Sequence, residues 1–354
     1  MFTLLRRNGV SFVRGSLRTT GIALYHCGLA NWIINLNRKR VRAVLYHAVE
    51  SQQSDYTNGL NVTVPPETFA LHLDYYQRHY NVISTRELLA DGSKPASLLI
   101  SFDDGYASVM DEALPLLEQR NMPAVVYLIG CAVRGRMVWV NRLNQAMNSY
   151  PCETRQILSA YPGLENMHRS KLIHHVQTRL DPTQIKEITE QLEIAIPELA
   201  NDTHRLFCTR DDILEMQKRG IEFGFHTNDH MNLGKCRDSE LQAQLETCGL
   251  ESLINSNTFA YPFGYYAPAA IAKLSRAGFD KLLTVGNNTH YHSELHLDRT
   301  EVFETSYAKL FARLEVEEPV VAAMGRLANG VKQLRRKQLK QQAPVDPTPQ
   351  KSHL

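Results

Sequence analysis

From residue 41 onward, short apolar runs take turns with stretches whose apolar positions recur at helical spacing. "RAVLYH" (42–47) reads as a strand, "PPETFALHLDYYQRHY" (65–80) as a helix with Phe69, Leu73 and Tyr76 on one side, and "NVIS" as a second strand. "SLLISF" (97–102) is almost wholly apolar, as a strand buried on both faces requires, and leads into the helical "ASVMDEALPLLEQRN" and the strand "PAVVYLI". Strand, crossover and strand fit within about 30 residues, the size of a parallel βαβ unit. The rhythm breaks between about 135 and 208, where only helical periods interrupted by Pro and Gly occur, and this predicts a helical insertion. Alternation then resumes: a helix "TRDDILEMQKRG" capped by Thr209, the strand "IEFGFH", the helix "DSELQAQLETCGLESLI", the strand "TFAYP", the helix "APAAIAKLSRAGF" and the strand "DKLLTV". Seven or eight such units predict an α/β fold, a (β/α) barrel with the helical insertion.

The two ends have a different texture. In residues 1–40, Ile22, Tyr25, Leu29, Trp32, Ile33 and Leu36 recur at helical spacing, Asn31, Asn35 and Asn37 fall off that stripe, and arginines flank the segment. This predicts an amphipathic helix lying in a membrane interface. A helix packed on the main domain would show the same stripe, and an uncleaved secretory signal is a third reading, weakened by the lack of an A-x-A cleavage pattern. The main unit is expected over 41–310, followed over 311–354 by a basic helix and the tail "QQAPVDPTPQKSHL", too polar to fold alone.

Charge sharpens this division. The formal net charge of +2 conceals eight Lys/Arg and no acid in residues 1–42, seven Lys/Arg and only Asp346 in 324–354, and 24 bases against 36 acids between them. Basic ends suit an anionic lipid surface better than nucleic acid, because neither end interleaves aromatics with its bases as a stacking platform would. The six cysteines show no CxxC or paired spacing, so reduced thiols are expected, and with them a cytoplasmic protein, peripheral to the inner membrane if its first helix binds lipid.

Candidate chemistry lies at strand ends, where parallel α/β folds gather their working residues. Asp103 and Asp104 close "SLLISF", and His226 closes "IEFGFH" with His230 four residues later. Two imidazoles and a carboxylate from another strand could hold one divalent ion with positions open for water, while the second carboxylate takes a proton from that water. The cation would offset the repulsion between the aspartates, and Gly105 would let the chain turn. Alone, DDG reads more readily as a turn or N-cap; its occurrence with HxxxH at two predicted strand ends reverses that preference. His47 also ends a strand and should face the same crevice. Trp139 follows the fourth strand and could present its ring to a sugar or serve as ordinary core; Tyr265 and Tyr266 are similar rim candidates.

At these residues the chain resembles the polysaccharide deacetylases, or NodB-like carbohydrate esterases. "SFDDG" is similar to their first motif and "HTNDH" to their second. "FAYPFG" (259–264) is similar to the third motif of the branch that writes it F-A-Y-P-Y/F-G, and "VLYHAV" to that branch's first strand. The resemblance spans about residues 41–305. It implies a distorted barrel, Asp103 as catalytic base, and Asp104, His226 and His230 as ligands of a divalent metal, usually zinc. It also implies hydrolysis of acetyl groups from N-acetylated sugars of a polysaccharide or lipid-linked glycan, with backbone donors in the span from Tyr261 to Gly264 near the oxyanion and Tyr261, Pro262 and Gly264 as substrate-binding candidates.

Two departures matter. The better-studied branch begins its third motif with an arginine that pairs with the catalytic aspartate, where this chain has Ala260; Arg299, in "LHLDRTEV", is the candidate replacement, unless it is a surface arginine beside Asp298. The family's L-x-H motif, whose His protonates the leaving amine, is not recognisable, though His290, His292 and His296 occupy its region. Two rival functions follow: an amidohydrolase acting on a small non-sugar amide, or a catalytically silent glycan-binding relative.

Overall fold

The computed structural model describes residues 2–90, 94–164, 167–285, 294–325 and 327. Its ten strands are β1 (Arg42–Tyr46), β2 (Ala48–Val49), β3 (Thr63–Val64), β4 (Asn81–Val82), β5 (Ser97–Phe102), β6 (Val125–Leu128), β7 (Glu222–Phe225), β8 (Thr258–Ala260), β9 (Lys281–Val285) and β10 (His296–Glu301). Seven of them, in the order β1-β10-β9-β8-β7-β6-β5, close into a parallel barrel through the β1–β5 pairing, while β2 and β3 pair apart. β4 is an eighth strand outside the ring. It pairs with β5 only at Ser97 and Leu98, and β6 pairs with β5 only at Ser101 and Phe102, so β5 hands the sheet from one neighbour to the other along its length. That fork distorts the barrel.

The alternation of side chains separates two cores. Ala43, Leu99, Val125, Tyr127, Ala260 and Leu283 fill the barrel, while Val44, Leu98, Ile100, Phe223, Phe259 and Leu282 meet the surrounding helices. All six residues of β5 are buried, as its apolar run predicts. Polar groups in the outer core are satisfied in series: Tyr46 Oη lies 2.8 Å from Tyr76 Oη and 2.9 Å from His72 Nδ1, and His72 Nε2 lies 2.6 Å from the Glu304 carbonyl. Thr209 caps its helix as expected, its hydroxyl accepting from the Asp212 amide.

Between β6 and β7 lie helices Trp139–Ser149, Pro151–Leu158, Arg169–Arg179, Pro182–Ala195 and Pro197–Ala200. They bury a core of their own, including Leu143, Leu158, Leu172, Ile188 and Leu192, and this core reaches Met231 and Phe263 on the barrel's carboxyl end. The insertion therefore packs over the mouth of the barrel.

The amino-terminal stripe folds as two helices, Phe2–His26 and Ala30–Leu36, broken near Gly28. The first is docked on the domain. Arg14 meets Glu317 at 2.6 Å, Arg18 pairs with the same carboxylate, and a Cβ on Gly21 would come within 2.6 Å of Ala312 Cβ. Nearby, Arg42 and Tyr80 donate to buried Glu315 at 2.8 and 2.7 Å. No helix among the described residues is long and apolar enough to cross a membrane. All six cysteines are free. The polar tail lies outside the described residues.

Candidate active site

The β5 ladder runs one residue beyond the strand, with the Asp103 amide donating to the Tyr46 carbonyl at 2.9 Å. Asp104 and Gly105 then both take positive φ, 70° and 72°, and the chain turns sharply there. Likewise the His226 amide extends the β7–β6 ladder to the Leu128 carbonyl, and the next residues form a tight loop with Thr227 at φ 70° and His230 at φ 56°. Thr227 Oγ1 accepts from the His230 amide at 3.0 Å, while Asn228 and Asp229 are tied to helix Asp238–Leu245 through the Ala243 carbonyl and the Gln244 side chain. The two imidazoles thus meet on a braced loop rather than along a helix. Of seven non-glycine residues with positive φ among those described, Asp104, Thr227, His230 and Phe263 belong to the three motif segments. Strain of this kind persists only where surrounding contacts enforce it.

These turns bring together groups from two distant segments. His226 Nε2 and His230 Nε2 are 3.2 Å apart, and Asp104 Oδ1 lies 3.5 Å from the first and 3.3 Å from the second. His226 Nδ1 donates to the Ala260 carbonyl at 2.7 Å, which leaves its Nε2 as a lone pair directed at the cluster. Burial, opposed by Asp104, lowers the His230 pKa to about 4, so this ring is neutral as a ligand must be. Asp104 Oδ1 is buried with no hydrogen-bond donor. A buried carboxylate oxygen without a donor, beside two imidazole nitrogens, is incompletely satisfied, and a cation is what would complete it. The three residues fit a divalent metal.

Asp103 sits beside this cluster, its Oδ2 3.7 Å from His226 Nε2. Arg299 grips it with both arms, Nη1 donating to Oδ1 at 2.6 Å and Nη2 to Oδ2 at 2.7 Å. Burial raises the Asp103 pKa, but Arg299 and then His226 outweigh it and hold the carboxyl at about 2. Arg299 is itself buried inside the barrel, over the Tyr127 ring, so it is not a surface arginine; Asp298 bonds Thr284 instead.

A cavity of about 410 Å³ opens over these groups, and His47, half-buried, lines it with Asp103, Asp104, His226 and His230. Tyr265 also lines it, and so does Glu301, which the sequence reading did not single out although it follows Arg299 by two residues on the same strand face. Other expectations need correction. The Trp139 ring is buried and lies off this cavity's wall; its Nε1 donates to the His230 carbonyl at 3.0 Å, so it braces the loop instead of meeting a sugar. Tyr261 turns its ring into the outer core, stacked on Tyr266, and its amide donates to the Leu283 carbonyl. Pro262 has no N–H, and the Gly264 amide donates to Tyr261. None of these three can supply an oxyanion donor. Phe263, at φ 56° and packed on His230 at 4.5 Å between rings, is the segment's remaining candidate. His296 begins β10 and stacks with Tyr266 off the cavity wall; His290 and His292 lie outside the described residues.

A closed parallel barrel with paired aspartates and an HxxxH loop at its carboxyl end defines the NodB-like class of carbohydrate esterase fold. The polysaccharide deacetylase family profile matches residues 90–282, more than half of the chain, and the chain belongs to that family. A Bacillus subtilis (strain 168) protein, YxkH, provisionally named a polysaccharide deacetylase, is 27% identical over 108 residues, which span 29% of this chain and 36% of that relative. The deacetylase PplD of Streptococcus pyogenes, solved with acetate, superposes with a TM-score of 0.51 at 16% identity, covering 78% of this chain and 98% of its own. IcaB from Ammonifex degensii gives 0.49 at 18% identity, covering 78% and 97%. At such identities the PplD likeness speaks for the fold.

Proposed function

We propose that the protein is a metal-dependent hydrolase that removes the acetyl group from an N-acetylated sugar of a glycan or lipid-linked saccharide. The observation that carries this reading is the convergence of Asp104, His226 and His230 within 4.8 Å, beside a carboxylate that is close to the cluster but held by an arginine. Zinc or a similar ion, held by those three side chains, would supply a Lewis acid that polarises the acetyl carbonyl and makes a water nucleophilic at neutral pH.

The chain's own residues would do the rest. Asp103, ionised at any physiological pH, accepts a hydrogen bond from the attacking water at Oδ2, the oxygen nearer the cluster, and takes its proton as the new bond forms. Arg299 fixes the direction of that carboxylate. The Phe263 amide is the candidate donor to the developing oxyanion. His47 faces the same cavity from the end of β1 and is the candidate to protonate the leaving amine, the role for which the sequence offers no L-x-H motif. The intact ligand set argues against a silent relative.

Metal analysis and acetate release test this together. Asp103→Asn should lower acetate release from N-acetylglucosamine oligosaccharides by about a hundredfold or more while bound zinc stays stoichiometric. Asp104→Ala and His226→Ala should lose the zinc itself. Equal zinc in all three variants would overturn the division of roles, and faster hydrolysis of small amides than of acetylated sugars would favour the amidohydrolase reading.

We also infer peripheral attachment to an anionic membrane from the cytoplasmic side. Supporting it, Trp32 and Leu36 are 61% and 65% exposed on one short helix, next to exposed Arg38 and Lys39.

A further inference from the structure

The catalytic cavity has two unlike halves. The barrel contributes His47, Asp103, Asp104, His226, His230 and Glu301, and so most of the charged and titratable groups, while the insertion adds Asn144 and His174. Opposite them, the insertion contributes Val140, Leu143 and Met147 from one face of helix Trp139–Ser149, and Leu172 and Ile173 from helix Arg169–Arg179. Val140, Leu143 and Met147 follow one another at spacings of three and four residues, so a single helical stripe forms that wall. Ligand sites commonly combine an apolar wall with a few placed polar groups that fix orientation.

One polar group on the insertion's side stands apart. Gln177 lines the cavity and is only 8% exposed, yet its Oε1 is buried without a hydrogen-bond partner. Its other amide atom, Nε2, is 3.4 Å from His174 Nδ1, and its backbone carbonyl accepts from Asn232 Nδ2 at 2.8 Å. Asn232 stands two residues beyond His230, so this contact ties the Gln177 backbone to the end of the metal-site loop. If the amide were turned over, the orphan would be an N–H pair instead of a carbonyl; in either orientation one end of the group lacks a partner. A buried amide end left unsatisfied is costly, and in native proteins it calls for a reason.

We propose that Gln177 is a specificity-determining residue of this enzyme, accepting a hydrogen bond through Oε1 from a hydroxyl of the sugar whose acetyl group lies over Asp104, His226 and His230, while the leucine and methionine stripe takes an apolar face of the same ring. The proposal rests on the deacetylase reading and names the element that selects its substrate: the insertion, not the motif-bearing barrel. A sugar lacking the bonded hydroxyl, or bearing it with inverted configuration, leaves Oε1 unsatisfied again and is rejected on that account.

The test separates recognition from turnover. Binding of methyl glycosides of N-acetylglucosamine, N-acetylgalactosamine and N-acetylmannosamine, and of their monodeoxy derivatives, is measured calorimetrically on the zinc-loaded Asp103→Asn protein, with and without Gln177→Leu. Acetate release is measured in parallel on the protein with Asp103 intact. The expected result is that deleting one particular hydroxyl weakens binding about three- to tenfold, and that Gln177→Leu abolishes the penalty for that hydroxyl alone. Gln177→Glu, which keeps an acceptor, should restore it. Zinc content and the unfolding midpoint of each variant confirm that the site is intact. An identical deoxy profile with and without Gln177→Leu overturns the proposal, as does the absence of binding by every sugar in the set. Binding with the expected profile but no acetate release would instead overturn the deacetylase reading and leave the recognition role standing.

Discussion

At the scale of single residues, the proposed chemistry turns on the pair Asp103 and Arg299. A carboxylate this deeply buried needs a cation, and Ala260 in place of the arginine that usually opens the third motif removes the expected one. Arg299 reaches the same carboxylate from β10 and was legible as a candidate because it sits in a predicted late strand; its bidentate geometry was not, since strand pairing decides which face meets which. The pKa of Asp103, about 2, lies below the ordinary carboxylate value, so its contribution to folding is present above about pH 4 and is lost as pH falls toward 2. In Arg299→Gln the burial remains while the main opposing charge is gone, so the pKa rises. The expected outcome is an acid limb in kcat/KM that moves above pH 4, together with a loss of about 3–5 kcal/mol of stability at neutral pH from the unpaired carboxylate. A pH–rate profile and a denaturant titration check this; an acid limb unchanged from the parent enzyme would remove Arg299 from the site.

At the scale of elements, the strands and the helical insertion were readable because hydrophobic period is a local property, and the motifs fell at strand ends where the barrel requires them. Turn geometry was less readable. In "FAYPFG" the sequence does not say which backbone atoms face inward, and the answer depends on Phe263 adopting a left-handed conformation while the Tyr261 amide completes the β8–β9 ladder. For Trp139 the sequence left a sugar-facing ring and ordinary core packing equally open, for a related reason. Its helix belongs to the insertion, yet its N–H closes onto the His230 carbonyl of the His226–His230 loop, more than 90 residues away in sequence, a contact no periodicity encodes. That bond holds His230 in a strained backbone state. Trp139→Phe keeps an aromatic ring in the insertion core and removes only the donor, so the fold should survive while zinc affinity falls about tenfold, as loss of an outer-sphere support typically does. Competition with a chelator at equilibrium measures it. Unchanged affinity would mean the insertion merely covers the loop.

At the scale of the whole molecule, the basic amino terminus is less free than its charge count suggests. Arg14 and Arg18 meet Glu317, Arg42 meets Glu315 and Arg40 donates to the Leu314 carbonyl, so at least four of the eight bases in residues 1–42 are engaged with the domain. The docked helix Phe2–His26 satisfies the packed reading of the sequence, and what remains for a lipid surface is the next helix, where Trp32, Leu36 and partly exposed Leu29 project beside Arg38 and Lys39. Two lysine or arginine charges contribute about 1 kcal/mol each near an anionic bilayer, and a tryptophan at the headgroup level adds an apolar anchor. The proposed attachment should accordingly be weak and salt-sensitive. Because Trp32 and Leu36 face away from the domain, the double variant Trp32→Ala, Leu36→Ala should keep the parent unfolding midpoint while sedimenting less with phosphatidylserine vesicles at low salt. Raising ionic strength should release the unaltered protein over the range in which the screening length falls below about 10 Å. If the double variant sediments as well as the unaltered protein, the exposed stripe is not a membrane anchor, and its apolar surface needs a different partner.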